Sequence, residues 1–176
     1  MSRNDMLNPM QIPRIAKVVV NISVGRSGEA LQRAMTIVNQ ITGQNPCRRT
    51  AKRTIREWGI HRNEPISCLV TLRGLKAYEF LKKAFYTVGN RLNESSFDAQ
   101  GNFAFGFDKH IDMPGVRYDP NIGIFGMNVC VAMTKSGYRV NKRHINHSKV
   151  GKQQKLHRDE AISFIHKEFG IEIIKE

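Results

Sequence analysis

The side chains best placed to do chemistry are cations, and they come in two runs. Arg48, Arg49, Lys52, Arg53, Arg56 and Arg62 share one short stretch opposed only by Glu57. Arg139, Lys142, Arg143, Lys149, Lys152, Lys155 and Arg158 form the second, with His144, His147 and His157 interleaved. Such runs either make a solvated basic face or neutralise the phosphates of a polyanion. The net charge of +13 favours the polyanion. Affinity would then fall with salt, with a log–log slope of about 0.7 to 0.9 per phosphate neutralised. Trp58, the one tryptophan, sits in the first run as Arg56-Glu57-Trp58-Gly59-Ile60-His61-Arg62. Its ring either folds back as a lid on the core or stands exposed, able to stack on a base or sugar.

Other constellations are weaker. Asp108, His110 and Asp112 alternate, so an extended segment would put them on one face, as a metal or acid–base site requires. Three polar residues near a turn also arise readily by chance. His144 and His147 lack the further ligands of a zinc site. Gly151-Lys152 has no upstream glycine-rich loop to make a phosphate-binding loop. Gly25-Arg26-Ser27-Gly28 has the spacing of a GxxG clamp but follows a strand instead of joining two helices. The amides of the helix that follows it could still meet a phosphate. No catalytic residue, metal site or cofactor is expected.

Alternation and helical periodicity supply the elements that must carry these groups. Over 14–24, Ala16, Val18, Val20, Ile22 and Val24 point one way; Lys17, Asn21 and Ser23 point the other, with Val19 the apolar exception. A turn at 25–28 leads to a helix over 29–42, with Leu31, Ala34, Val38 and Ile41 on one side and Gly43 as its stop. After a charged loop, 66–72 reads as a strand with Ile66, Cys68, Val70 and Leu72 inward, and Ser67, Leu69 and Thr71 outward. A helix over 75–92 follows, from the recurrence of Tyr78, Leu81, Phe85, Val88 and Leu92. Further strands are expected at 102–107 and 124–133, a last helix at 158–169 and a short strand at 171–174. The order β-α-β-α-β-β-α-β predicts a single-domain α+β two-layer sandwich over 1–176. Its mainly antiparallel sheet would carry helices on one face and leave Lys17, Asn21, Ser23, Thr71 and Asn128 on an open one. Open sheet faces are a common platform for RNA.

Composition narrows the class. The chain has 176 residues, 40% of them apolar, enough to bury a core. It has no apolar run of about 18 residues and no basic amphipathic helix, so a membrane partner is not expected. The first ten residues carry Arg3, Asn4 and Asp5 and no apolar signal segment. Cys47, Cys68 and Cys130 are too scattered for a disulfide framework and read as reduced cytosolic thiols.

Ordered blocks along nearly the whole chain carry a family resemblance. They are Lys17-Val18-Val19-Val20-Asn21-Ile22-Ser23-Val24-Gly25, Ile41-Thr42-Gly43-Gln44-Asn45-Pro46, Trp58-Gly59-Ile60-His61-Arg62-Asn63-Glu64, Val70-Thr71-Leu72-Arg73-Gly74, Gly101-Asn102-Phe103, and the run from Tyr118-Asp119-Pro120-Asn121 to Met127. Together they resemble the large-subunit ribosomal protein five family. The sequence lacks the longer N-terminal arm of bacterial members and has a basic insertion at about 141–158, as archaeal and eukaryotic members do. Ser23 stands where bacterial members usually have glycine.

The resemblance implies a non-catalytic, cytoplasmic ribosomal protein of the central protuberance that binds 5S rRNA with its sheet face. It implies further partners: large-subunit rRNA, peptidyl-site tRNA, and a small-subunit head protein at an intersubunit bridge. Asn21, Gln44 and Thr71 match the family's 5S-contacting polar positions, with Lys17 as a phosphate partner beside them. Ser23, Gly25, Arg48, Arg73, Lys149 and Lys152 complete the expected rRNA-binding set. The 51–64 loop matches the family's tRNA-reaching loop, giving Arg53, Arg56, Trp58, Gly59, Ile60, His61 and Arg62 as the tRNA set. The rivals are an RNA-processing enzyme built on Asp108, His110 and Asp112, and a generic RNA chaperone with no preference for 5S rRNA.

Overall fold

A computed structural model describes residues 8–116, 119–120 and 122–174; Arg3, Asn4, Asp5, Tyr118 and Asn121 lie outside them. The elements run β1 (Arg14–Ser23), α1 (Glu29–Thr42), β2 (Cys47–Thr50), β3 (Pro65–Leu72), α2 (Leu75–Thr87), β4 (Arg91–Asn93), β5 (Phe103–Phe107), β6 (Met127–Thr134), α3 (Arg158–Phe169) and β7 (Glu172–Ile174). An antiparallel sheet has the order β2-β3-β1-β6-β5, and β4 and β7 form a separate parallel pair.

The fold is the expected α+β sandwich. Val18, Val20 and Ile22 of β1, Cys68, Val70 and Leu72 of β3, and Met127, Val129, Val131 and Met133 of β6 are buried on one face of the sheet. Leu31, Ala34, Ile37 and Val38 of α1 join them in one core cluster with Ala77, Phe80, Leu81, Ala84 and Phe85 of α2. Burying each larger aliphatic side chain contributes roughly 1.5 to 3 kcal/mol. Phe85 organises the far side of the core, stacking on Phe103 and Phe105 and meeting the edge of Phe169 from α3.

Gly101 shows how closely α3 approaches. A Cβ there would lie 2.8 Å from the Ala161 Cβ, and the backbone has φ +73°, so two independent constraints call for glycine.

Several boundaries differ from the sequence expectation. The second helix stops at Thr87, because Gly89 and Asn90 turn left-handed with φ of 72° and 57°. Leu92 is therefore buried from β4 and not from a helix. The strand expected from Ile124 begins only at Met127. Ahead of it, Phe125 exchanges hydrogen bonds with His110 and cannot join the ladder. β2 falls in the stretch expected as a charged loop; all four of its residues are exposed, which leaves no alternation to detect. Ala16, expected on the core side, sits at a bulge in the β1–β6 register. The bulge keeps Ile15 opposite Met133 while putting Lys17 opposite Ala132 on the open side.

Candidate nucleic-acid interface

Strand pleating places Lys17, Val19, Asn21 and Ser23 on the face away from the helices, and the register supplies their neighbours. Asn21 lies between Leu69 of β3 and Asn128 of β6. Val19 lies between Thr71 and Cys130, and Ser23 is opposite Ser67. On β5 the same face carries only Ala104 and Gly106, which keeps it low. Among the described residues no helix covers this surface: Lys17, Ser23, Asn128 and Cys130 are exposed, while Asn21 and Thr71 are half-buried. The Asn21 amide donates to the Ser23 hydroxyl at 3.1 Å, which fixes its orientation. Two shallow grooves cross the face. One, of about 410 Å³, is lined by Lys17, Asp98, Asn102 and Cys130; the other, of about 450 Å³, by Ser23, Gly106, Asp108 and Asn128.

The remaining sequence-derived rRNA positions spread around this face. Gln44 is half-buried just beyond the α1 cap, on the approach to β2, and Arg73 follows β3 directly; both lie toward the Lys17 end. Gly25 has φ +79° and gives its N–H to the Ile66 carbonyl at 3.1 Å, so that amide is already used. Arg48 pairs with Cys68 and so points to the helix side of the edge strand. Arg49, opposite Ser67, is the β2 cation that shares the open face with Lys17. Simple alternation along β2 carries this signal, but only once β2 is known to be a strand.

The two cationic runs occupy opposite ends of the sheet. The β2–β3 connection leaves at the end where β1 finishes, and the β6–α3 connection leaves where β1 starts, opposite Arg14. Lys149 and Lys152 belong to the second and are exposed.

The 51–64 loop is a braced hairpin. Ile55 and Ile60 exchange backbone hydrogen bonds of 2.9 and 3.1 Å, and Ala51 donates to the Glu64 carbonyl at 2.8 Å. Gly59 turns the tip with φ +64°. Trp58 is 70% exposed, so its ring is not a lid on the core. Arg53, Arg56, His61 and Arg62 are exposed around it, whereas Ile60 is 7% exposed and acts as an anchor beneath them. The Glu64 carboxylate accepts from the His61 N–H at 3.0 Å and the Ser27 hydroxyl at 2.8 Å. These bonds, His61 first, hold its carboxyl below the ordinary carboxylate range. The brace joins residues far apart in sequence, and no local pattern announces it.

The Asp108, His110 and Asp112 constellation resolves differently. His110 is 3% exposed, and its Nδ1 accepts the Phe125 N–H at 3.2 Å. Burial pushes its pKa below the ordinary histidine range. The ring is a structural clamp on the segment before β6, while Asp108 and Asp112 face solvent. Among the described residues no group of three His, Cys, Asp or Glu is placed to hold a metal ion. Nor is any helix among them long and apolar enough to cross a membrane.

Two family models match in sequence order: ribosomal protein L5 over residues 8–61 and the C-terminus of the same ribosomal protein family over residues 65–168. A large ribosomal subunit protein uL5 of Pyrobaculum aerophilum is 48% identical, covering 94% of this chain and 93% of its own length. The uL5 proteins of Methanococcus maripaludis and Sulfurisphaera tokodaii are 46% and 43% identical, the first covering 96% of this chain and 94% of its own length, the second 99% of each. Sheet, helices and cationic ends thus fall within segments that these models and relatives span, and the chain belongs to the L5 family of ribosomal proteins.

Proposed function

We propose that this ribosomal protein of the large subunit holds 5S rRNA against its open sheet face. It works on the ribosome in the cytoplasm, as a non-catalytic, single 1–176 RNA-binding domain. The observation that carries the reading is the face itself: polar groups at Asn21, Ser23, Thr71 and Asn128, uncovered by any helix, lying between two cationic ends. Amides and hydroxyls there would meet base edges and ribose hydroxyls, and the flanking cations would neutralise phosphates. The 51–64 loop, with Trp58 at its tip, would reach peptidyl-site tRNA. The 141–158 insertion would meet large-subunit rRNA, and a small-subunit head protein would complete an intersubunit bridge.

The test is a filter-binding titration with 5S rRNA and with unrelated structured RNAs of similar length. Wild-type protein should prefer 5S rRNA. Asn21→Ala or Thr71→Ala should weaken that binding by about 1 to 3 kcal/mol, the cost of stranding a buried hydrogen-bond partner. Wild-type affinity in both variants would rule out the sheet-face site, and equal affinity for all RNAs would leave a generic chaperone.

A further inference from the structure

Gly106 is a glycine without a backbone reason. Its φ is not in the left-handed region, and it sits mid-strand in β5, where glycine weakens a sheet. The reason lies across the strand. A Cβ on Gly106 would stand 2.7 Å from Oδ1 of Asn128, its register partner on β6. The missing side chain leaves room for the Asn128 amide oxygen over β5. That amide is exposed and bonds no other group among the described residues, so its donors and acceptor stay available. Ser23 and Asp108 line the same groove of about 450 Å³, and among the described residues no lysine or arginine does.

A hydroxyl, an amide and a carboxylate without a cation make a poor seat for phosphate. They make a good one for hydrogen-bond donors. We propose that this groove reads the donor-bearing edge of an RNA strand, its ribose 2′-hydroxyls and exocyclic amino groups, with Asn128 as a specificity-determining residue and Gly106 as its positioning residue. The inference rests on the sheet-face reading above and assigns chemistry within it. The β5–β6 half discriminates, and the cationic ends supply salt-dependent affinity.

The experiment is fluorescence anisotropy of the full chain with 5S rRNA across a salt series, using Asn128→Ala, Gly106→Ala and the double variant. Asn128→Ala should weaken binding about five- to thirtyfold, as loss of one or two hydrogen bonds does. Its salt slope should match wild type, because no phosphate contact is lost. Gly106→Ala should weaken binding comparably and add nothing in the Asn128→Ala background, the mark of one residue acting through the other. Thermal melts would check that Gly106→Ala folds, and Asn128→Ala, an exposed truncation, carries the test independently. Binding of Asn128→Ala within twofold of wild type, a shallower salt slope, or additive effects would each overturn the proposal. If Thr71→Ala still weakens binding in that case, only this inference falls. If Thr71→Ala and Asn21→Ala are also silent, the sheet-face reading falls with it.

Discussion

The 51–64 loop and the 141–158 insertion are basic segments at opposite ends of the sheet, yet they differ in charge and in build: four cations stand against Glu57 and Glu64 in the loop, six stand without an acid in the insertion. The loop closes on itself: the Ile55–Ile60 pairing, the Ala51–Glu64 bond and the Glu64 carboxylate brace a hairpin that ends in an exposed ring. The insertion is fastened at its feet, and between them a Ser148 N–H to Val140 carbonyl bond of 3.2 Å and an Arg143 Nε–H to Asn146 carbonyl bond of 2.7 Å tie a span that stays exposed. The Leu156 N–H donates to the Tyr138 hydroxyl at 2.8 Å, and the Gln154 amide reaches the carbonyls of Ser136 and Met10. Lys135, 5% exposed, pairs with Glu160 of α3 at 2.6 Å. Between the feet, nine consecutive residues, 141–149, are exposed. A braced tip suits one contact at a set reach. An exposed, positively charged span suits many interchangeable phosphates. Two basic segments of one chain therefore need not share a function.

The largest expected effect is on salt dependence. Replacing Lys142, Arg143, Lys149 and Lys152 with glutamine should lower the log–log salt slope of rRNA binding by about 3 if all four meet phosphates. The melting temperature should hold, since all four are exposed. An unchanged slope would make the insertion a solvated basic face and end the contrast.

Next comes the foot of the insertion. Glu160→Ala strands the buried ammonium of Lys135 and should cost roughly 2 to 3 kcal/mol in a urea melt, at or just below the usual range for a broken buried pair. Adding Lys135→Met should recover most of it. Burial works against the Glu160 charge, but the Lys135 hydrogen bond, then the His157 backbone, outweigh it and leave its pKa lowered. The pair's stabilisation is thus complete above the unfolded-chain value and is lost as pH falls through the lowered one.

A smaller, more selective effect belongs to the hairpin. Replacing residues 54–61 with a two-residue turn should leave 5S rRNA affinity within about twofold, as expected for distant sites. Occupancy of the peptidyl site by tRNA in reconstituted ribosomes should change. Lost 5S affinity would mean that the loop and the sheet face form one site.

The smallest effect tests the brace. Glu64→Ala should speed hydrogen exchange at Asn63 and Ile60 a few-fold at neutral pH. In the wild type the same loosening should set in only as pH falls through the lowered Glu64 value, because a depressed carboxylate stabilises only while ionised. Equal protection in both proteins would show that the backbone pairs suffice.

Reading the chain from its residues succeeds where one physical pattern dominates. Regular apolar spacing closed by Gly43 gives α1 its observed limits, and the expected range 158–169 is that of α3, which the structure caps with Gly170. Alternation gives β1, β3 and β6 their faces, and hence the polar surface. It fails where tertiary partners decide. β2 shows no alternation as an exposed edge, and Leu92 continues a helical period that Gly89 and Asn90 have already ended. His110 has catalytic spacing, but a backbone partner fifteen positions away defines its role. The placement of the two cationic runs follows from strand order and direction, which no single segment encodes.

The parallel pairing of β4 with β7 has a consequence for synthesis. Leu92 lies opposite Ile173, and Ile171 and Ile165 are fully buried beside segments made much earlier. Parallel pairing between distant segments forms slowly, because loop closure precedes its reward. A nascent copy that has not yet emerged past Phe169 lacks the ring that meets Phe85 and has an unpaired β4, while both cationic ends are already out. Such a copy would present its cationic runs before its core is closed. Closure of that side of the core therefore waits on the later-made strand, which docks as a pair separate from the five-stranded sheet.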